Sequence, residues 1–184
     1  MKARTVLSAA LLAIAAGCAL FPGAIEEGIP RLRDKLPETT KVYLASPLNP
    51  RGGFLYTRNA QIVVDEFKAA FDKRGIQVTV PGRRSGEPST VLAKARTNGC
   101  DVVLFTQIVE WNYGDAGFSG LGGRDEVTLS VMLMDAVSER VLTRATIYVR
   151  NGIGRSRPGG NDSPNDAVSP IIAKYVESLF KKRE

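Results

Sequence analysis

From Lys41 onward the apolar positions fall into runs of period two and runs of helical period, punctuated by Gly and Pro. KVYLAS, Lys41 to Ser46, predicts a strand with Val42 and Leu44 on one side and Tyr43 and Ala45 on the other. Pro47, Pro50, Gly52 and Gly53 mark a loop. A helix is predicted over 58–74, capped by Thr57 and stopped by Gly75, with Ala60, Val63, Val64, Phe67, Ala70 and Phe71 on one core-facing stripe. IQVTV over 76–80 predicts a second strand, and Ser89 caps a short helix reaching Asn98 and ended by Gly99.

Residues 101–113 predict a third strand. Its first half, Val102-Val103-Leu104-Phe105, is apolar on both faces, as a central covered strand requires. Two alternating strands follow. Residues 124–135 place Val127, Leu129, Val131 and Leu133 together. Residues 141–150 place Val141, Thr143, Ala145, Ile147 and Val149 on one face and Leu142, Arg144, Thr146, Tyr148 and Arg150 on the other. The short link 136–140 makes these two an antiparallel hairpin. A closing helix over 166–182 buries Ala167, Ile171, Ile172, Tyr175, Val176, Leu179 and Phe180.

The order is therefore β-α-β-α-β-β-β-α. Right-handed crossovers make the first three strands parallel. The expected fold is α/β: one mixed five-stranded sheet, three parallel strands extended by an antiparallel hairpin, with helices packed on it. It forms one domain over 41–182.

The chain before Lys41 has a different character. Lys2 and Arg4 precede an apolar run from Val6 to Ala16, shorter than the roughly 20 apolar residues a membrane-spanning helix needs. The run closes on Ala15-Ala16-Gly17-Cys18, the layout of a secretory leader ending in small residues. It resembles the lipobox of bacterial lipoproteins, with Ala15 where Leu is commonest. That resemblance implies cleavage of 1–17 and acylation of Cys18, leaving 18–40 as anchor and tether, with a short helix over 26–36. The other reading is an ordinary cleaved leader in which Cys18 is incidental. Each buried acyl methylene contributes roughly 0.8 kcal/mol, so more than one chain anchors firmly. Ala19, in the position that sorts Gram-negative lipoproteins, implies the outer membrane, with the domain facing the periplasm.

Composition adds little to the fold but narrows the chemistry. The formal charge of +6 drops to about +4 once Lys2 and Arg4 leave with the leader. For an exported chain this excludes nucleic acid as the expected partner and leaves anionic lipid or acidic envelope polymers, or simply a solvated surface. The sequence contains no His. That rules out Ser-His-Asp and Cys-His catalysis and His-containing zinc sites. Cys100 is the only other Cys, so Cys-rich metal sites are excluded too; between Gly99 and a strand it reads as a small buried hydrophobe. Asp125 and Glu126 point to opposite faces of a strand and make no acid–base pair. No phosphate-binding loop or dinucleotide fingerprint occurs. No catalytic residue, cofactor or metal is assigned.

The candidate partner contacts lie in two loops. Trp111 and Tyr113 lead into the glycine-rich stretch 114–123, which carries Phe118. These aromatics engage a partner or a lipid surface, or fold back over the sheet edge. Arg83 and Arg84, between Gly82 and Ser85, contact an anionic group or form a solvated turn.

The segments NAQIVVDEFKAAFDKRGIQV, GCDVVLFTQIVEW and MDAVSERVL resemble a proteobacterial family of uncharacterised envelope lipoproteins, a domain of unknown function, over roughly residues 18–180. Its topology is similar to the N-terminal domain of TolB and the periplasmic domain of CsgG. The resemblance implies a non-catalytic envelope protein that works through protein contacts, and it carries over only Cys18. The expected function is a lipid-anchored domain binding another envelope protein or a cell-wall polymer, its oligomeric state left open. A secretion or envelope assembly subunit is one alternative. An enzyme acting on envelope glycans or lipids is another, and it needs a cleft with convergent polar groups.

Overall fold

A computed structural model describes residues 32, 34–47, 54–81, 87–112, 126–150 and 164–181. Five strands and three helices follow the order expected: β1 (Val42–Leu44), α1 (Phe54–Lys73), β2 (Val78–Thr79), α2 (Pro88–Thr97), β3 (Val102–Asn112), β4 (Glu126–Asp135), β5 (Val141–Arg150) and α3 (Pro164–Leu179). The sheet order is β2-β1-β3-β4-β5. β1 runs parallel to β2 and β3, and β3, β4 and β5 are antiparallel neighbours. The α/β fold with a mixed five-stranded sheet is as the sequence implies.

Alternation along the strands divides the apolar residues between two cores. On one face Val42, Leu104, Leu129, Leu133 and Ile147 pack beneath α1 and α3. The helical stripe contributes Val63, Val64, Phe67 and Phe71 from α1 and Ile171, Ile172 and Tyr175 from α3. Phe67 meets the Tyr175 ring edge-on at 6.1 Å, and Phe71 meets Phe180 at 6.2 Å. On the other face Tyr43, Val103, Phe105 and Cys100 pack beneath Val91, Leu92 and Ala95 of α2. Burial on this scale, about 25 cal/mol per Å² of apolar surface, is the main force holding the layers together.

Helices α1 and α2 stop as their glycines predict. Gly75 and Gly99 have φ of 73° and 64°, and the following amides, Ile76 and Cys100, donate back to the Phe71 and Ala95 carbonyls. The helix starts differ from expectation. α1 begins at Phe54, so Thr57 lies inside it rather than capping it. α2 begins at Pro88 after Glu87, with no side-chain cap, and Ser89 is within the helix. Proline suits a first helical position because its missing N–H is one of those a helix start leaves unpaired.

Two register shifts alter the strand faces. In β3 the extra residue falls at Val109, between Ile108 paired with Leu129 and Glu110 paired with Thr128. In β5 it falls at Leu142, so Val141 pairs with Met134 while Thr143 pairs with Leu133. Simple alternation puts Val141 on the same face as Thr143. The bulge turns it outward, where 41% of its surface is exposed, and Leu142 packs against the core instead.

The segment expected as tether is packed onto the domain from Leu32. No helix occupies residues 34–36; Leu36 forms a parallel bridge to Phe180, its amide donating to the Leu179 carbonyl at 2.9 Å. None of the described helices is long and apolar enough to cross a membrane.

Candidate functional site

The topology gives the sheet two unlike ends. At the carboxyl end of β1, β2 and β3 the chain leaves the described body at Pro47, Pro81 and Asn112, and β5 leaves there at Arg150. All three helices return from this end. Open α/β sheets place their ligands outside the carboxyl ends of the parallel strands. Arg83, Arg84, Tyr113 and Phe118 lie outside the described residues, yet each belongs to a segment joined to the sheet at this end. Cys18 and the leader also lie outside the described residues.

Trp111 is described, and it is not displayed. Its side chain is 5% exposed, within the core beneath α1 and α3. The bulge at Val109 is the cause: it shifts strand parity by one, so Trp111 pairs with Val127 on the helix-covered face. Among the described residues the indole N–H has no hydrogen-bond partner. The packing removes the Trp111 ring from the described surface.

The amino end holds a cleft of about 400 Å³ between the segment beginning at Leu32 and the starts of β1, β3 and β5. Leu32, Leu36, Val102 and Leu142 supply its apolar lining, and Asp34, Asp101 and Asp135 its carboxylates. Asp101 and Asp135 have structural partners. Asp101 accepts the Lys41 amide at 2.7 Å. Asp135 accepts the Ser138 and Val137 amides at 2.7 and 3.0 Å and the Ser138 hydroxyl at 2.9 Å, shaping the β4–β5 turn. The Ser138 amide, ahead of partial burial and the other donors, holds the Asp135 carboxyl below its ordinary range. A carboxylate so stabilised is an acceptor, not a proton donor. Among the described residues no grouping of three or more His, Cys, Asp or Glu is placed to hold a metal.

Cys100 is buried beneath α2, its Sγ 3.6 Å from the Thr79 hydroxyl. The neighbouring Tyr43 phenol is pushed up, first by burial and then by Cys100. The Tyr175 phenol, enclosed between α1 and α3, is also raised by burial.

One cluster had no sequence signal beyond an Arg at a helix end. Arg74 is 6% exposed and its guanidinium gathers both ends of the domain. It pairs with Glu177 and, at 3.2 Å, with Glu38; it donates to the Lys181 carbonyl at 2.6 Å; and it lies 5.2 Å from the centre of the Phe180 ring. Lys35 donates to the Ser178 carbonyl beside it. Only long-range packing brings Glu38 and Glu177 to the same arginine, so no local pattern could reveal it.

No family model matches the chain, and no curated protein matches it. Solved structures do. The PelC dodecamer from Paraburkholderia phytofirmans is 22% identical, with a TM-score of 0.58 covering 82% of this chain and 94% of that one. XCC0632 from Xanthomonas campestris, of family DUF330, is 14% identical, with a TM-score of 0.50 covering 78% and 86%. Lipoprotein GNA1162 from Neisseria meningitidis is 17% identical, with a TM-score of 0.48 covering 76% and 99%. At these identities the first two likenesses are ones of fold. They do not show the expected similarity to TolB and CsgG.

Proposed function

We propose that this chain is a lipid-anchored, non-catalytic envelope domain, held by acyl chains on Cys18 at the outer membrane, that works by binding another envelope protein as a subunit of a larger assembly. The observation carrying this reading is the layout of the sheet. A body with two cores presents, at the carboxyl end of its parallel strands, four of the places where the chain leaves the described fold. Arg83, Arg84, Tyr113 and Phe118 follow directly from those exits and are the proposed contacts. At the other end Asp101 and Asp135 are engaged by backbone amides. The PelC relative in fold is a dodecamer, which favours an assembly over an isolated binding module. A cell-wall polymer is the second ligand class for the same surface.

The test joins mass spectrometry of Cys18 with crosslinking in intact envelopes and sizing of the detergent-extracted protein. Acyl chains on Cys18 and a discrete species containing a stoichiometric partner, or several copies of this chain, support the proposal. A strictly monomeric protein that captures nothing, or one that turns over an envelope glycan or lipid, overturns it.

A further inference from the structure

The segment 32–40 is bound along the amino end of the sheet and cannot swing to the other. Leu32 is 7% exposed, Leu36 donates to Leu179, Lys35 to Ser178, and Arg74 reaches Glu38. The chain therefore enters the body at this end. Here too the β4–β5 turn displays Val137, 76% exposed, the most exposed large apolar side chain among the described residues, with Val141 nearby at the start of β5. Lys41, Arg140 and Lys181 are exposed at the same end. Asp34, Glu38, Glu139 and Glu177 are exposed there as well, but Glu38 and Glu177 are paired with Arg74, Glu139 is paired with Arg96, and the Asp101 carboxylate is occupied by the Lys41 amide.

We infer that this amino end is the membrane-facing surface of the domain, with Val137 at the head-group boundary and the loop-bearing carboxyl end turned away. The inference rests on the acylation of Cys18 proposed above. Roughly 14 peptide units join Cys18 to Leu32, and a flexible chain of that length has a root-mean-square span of about 20 Å. The 11 residues of β3, at roughly 3.3 Å each, separate the two ends of the sheet by about 35 Å. An anchor on so short a lead holds the near end at the bilayer. An exposed valine at an end that also carries Lys41, Arg140 and Lys181 suits that boundary, where apolar groups meet anionic head groups. The end that binds partners is then free to face the periplasm.

The test uses full-length protein carrying Cys100→Ala, so that Cys18, whose sulfur is blocked once it carries lipid, is its only native cysteine. Single cysteines replace Val137 or Lys181 at the near end and Val80 or Asn112 at the far end; all four positions are exposed. Each is spin-labelled in vesicles of phosphatidylethanolamine and phosphatidylglycerol containing a nickel-chelating lipid. Relaxation several-fold faster at 137 and 181 than at 80 and 112 supports the inference. Equal or reversed enhancement, with acyl chains found on Cys18 by mass spectrometry, overturns the orientation alone. An unmodified Cys18 overturns the anchor and the orientation together.

Discussion

Ile108 and Trp111 face the same side of β3 although three positions separate them. Ile108 lies opposite Leu129 and Trp111 opposite Val127, and Val109 is the additional residue between them. An unbroken strand would place Trp111 on the opposite face, with Phe105 and Gln107. With the bulge, the indole fills the sheet end of the core beneath α1 and α3, and Val109 is left 46% exposed.

The chain has a single Trp, so this packing is directly readable by fluorescence. Native emission is expected at short wavelength and resistant to acrylamide quenching. Trp111→Ala should cost about 3–5 kcal/mol, measured by denaturant unfolding. Long-wavelength emission with free quenching would show a displayed ring.

Arg74→Met should lower stability by about 2 kcal/mol, because the bonds to Lys181, Glu177 and Glu38 are lost while the half-exposed glutamates return to water. Arg74→Lys should recover only part of this, since an ammonium cannot serve several acceptors with a planar fork. Faster proteolysis within 32–40 should accompany both losses. Two variants as stable as the parent would show that the clasp contributes nothing.

Asp135 makes stability depend on acid. Its folded carboxyl titrates below the ordinary value of about 3.9, so the ionised form is favoured by folding. The contribution is fully present above that ordinary value and disappears as pH falls through the lower folded one. In Asp135→Asn the drop in unfolding free energy between about pH 5 and pH 2 should be smaller than in the parent. An unchanged pH dependence counts against the Ser138 and Val137 bonds as its source.

Cys100 should react with thiol reagents only when the protein unfolds, because its side chain is 5% exposed beneath α2. Cys100→Ala should cost about 1 kcal/mol and leave the proposed lipid anchoring through Cys18 unchanged. Rapid reaction of the native thiol would contradict the packing.

Much of the fold could be read directly from periodicity. The stripes of α1 and α3, the two-sided apolar start of β3 and the inward Val127, Leu129, Val131 and Leu133 all lie where simple alternation puts them. Gly75 and Gly99 end their helices because a left-handed residue there closes the last turn. The candidate site was less legible. Trp111 reads as a residue leading into a loop, and nothing in neighbouring positions signals the bulge that buries it. The segment before Lys41 reads as a tether, yet Leu36 pairs with Phe180 at the other end of the chain. Arg74 has the look of an ordinary helix terminus.

Local pattern alone determined the element order, the parallel-then-antiparallel sheet and the two apolar faces, because periods of two and of 3.6 residues depend only on backbone geometry. Tertiary structure alone decided on which side of a bulge each residue falls, where the N-terminal segment docks and which carboxylates meet Arg74. Those outcomes depend on partners far away in sequence: a bulge exists only relative to a neighbouring strand, and a buried cation is tolerated only where distant acceptors converge on it.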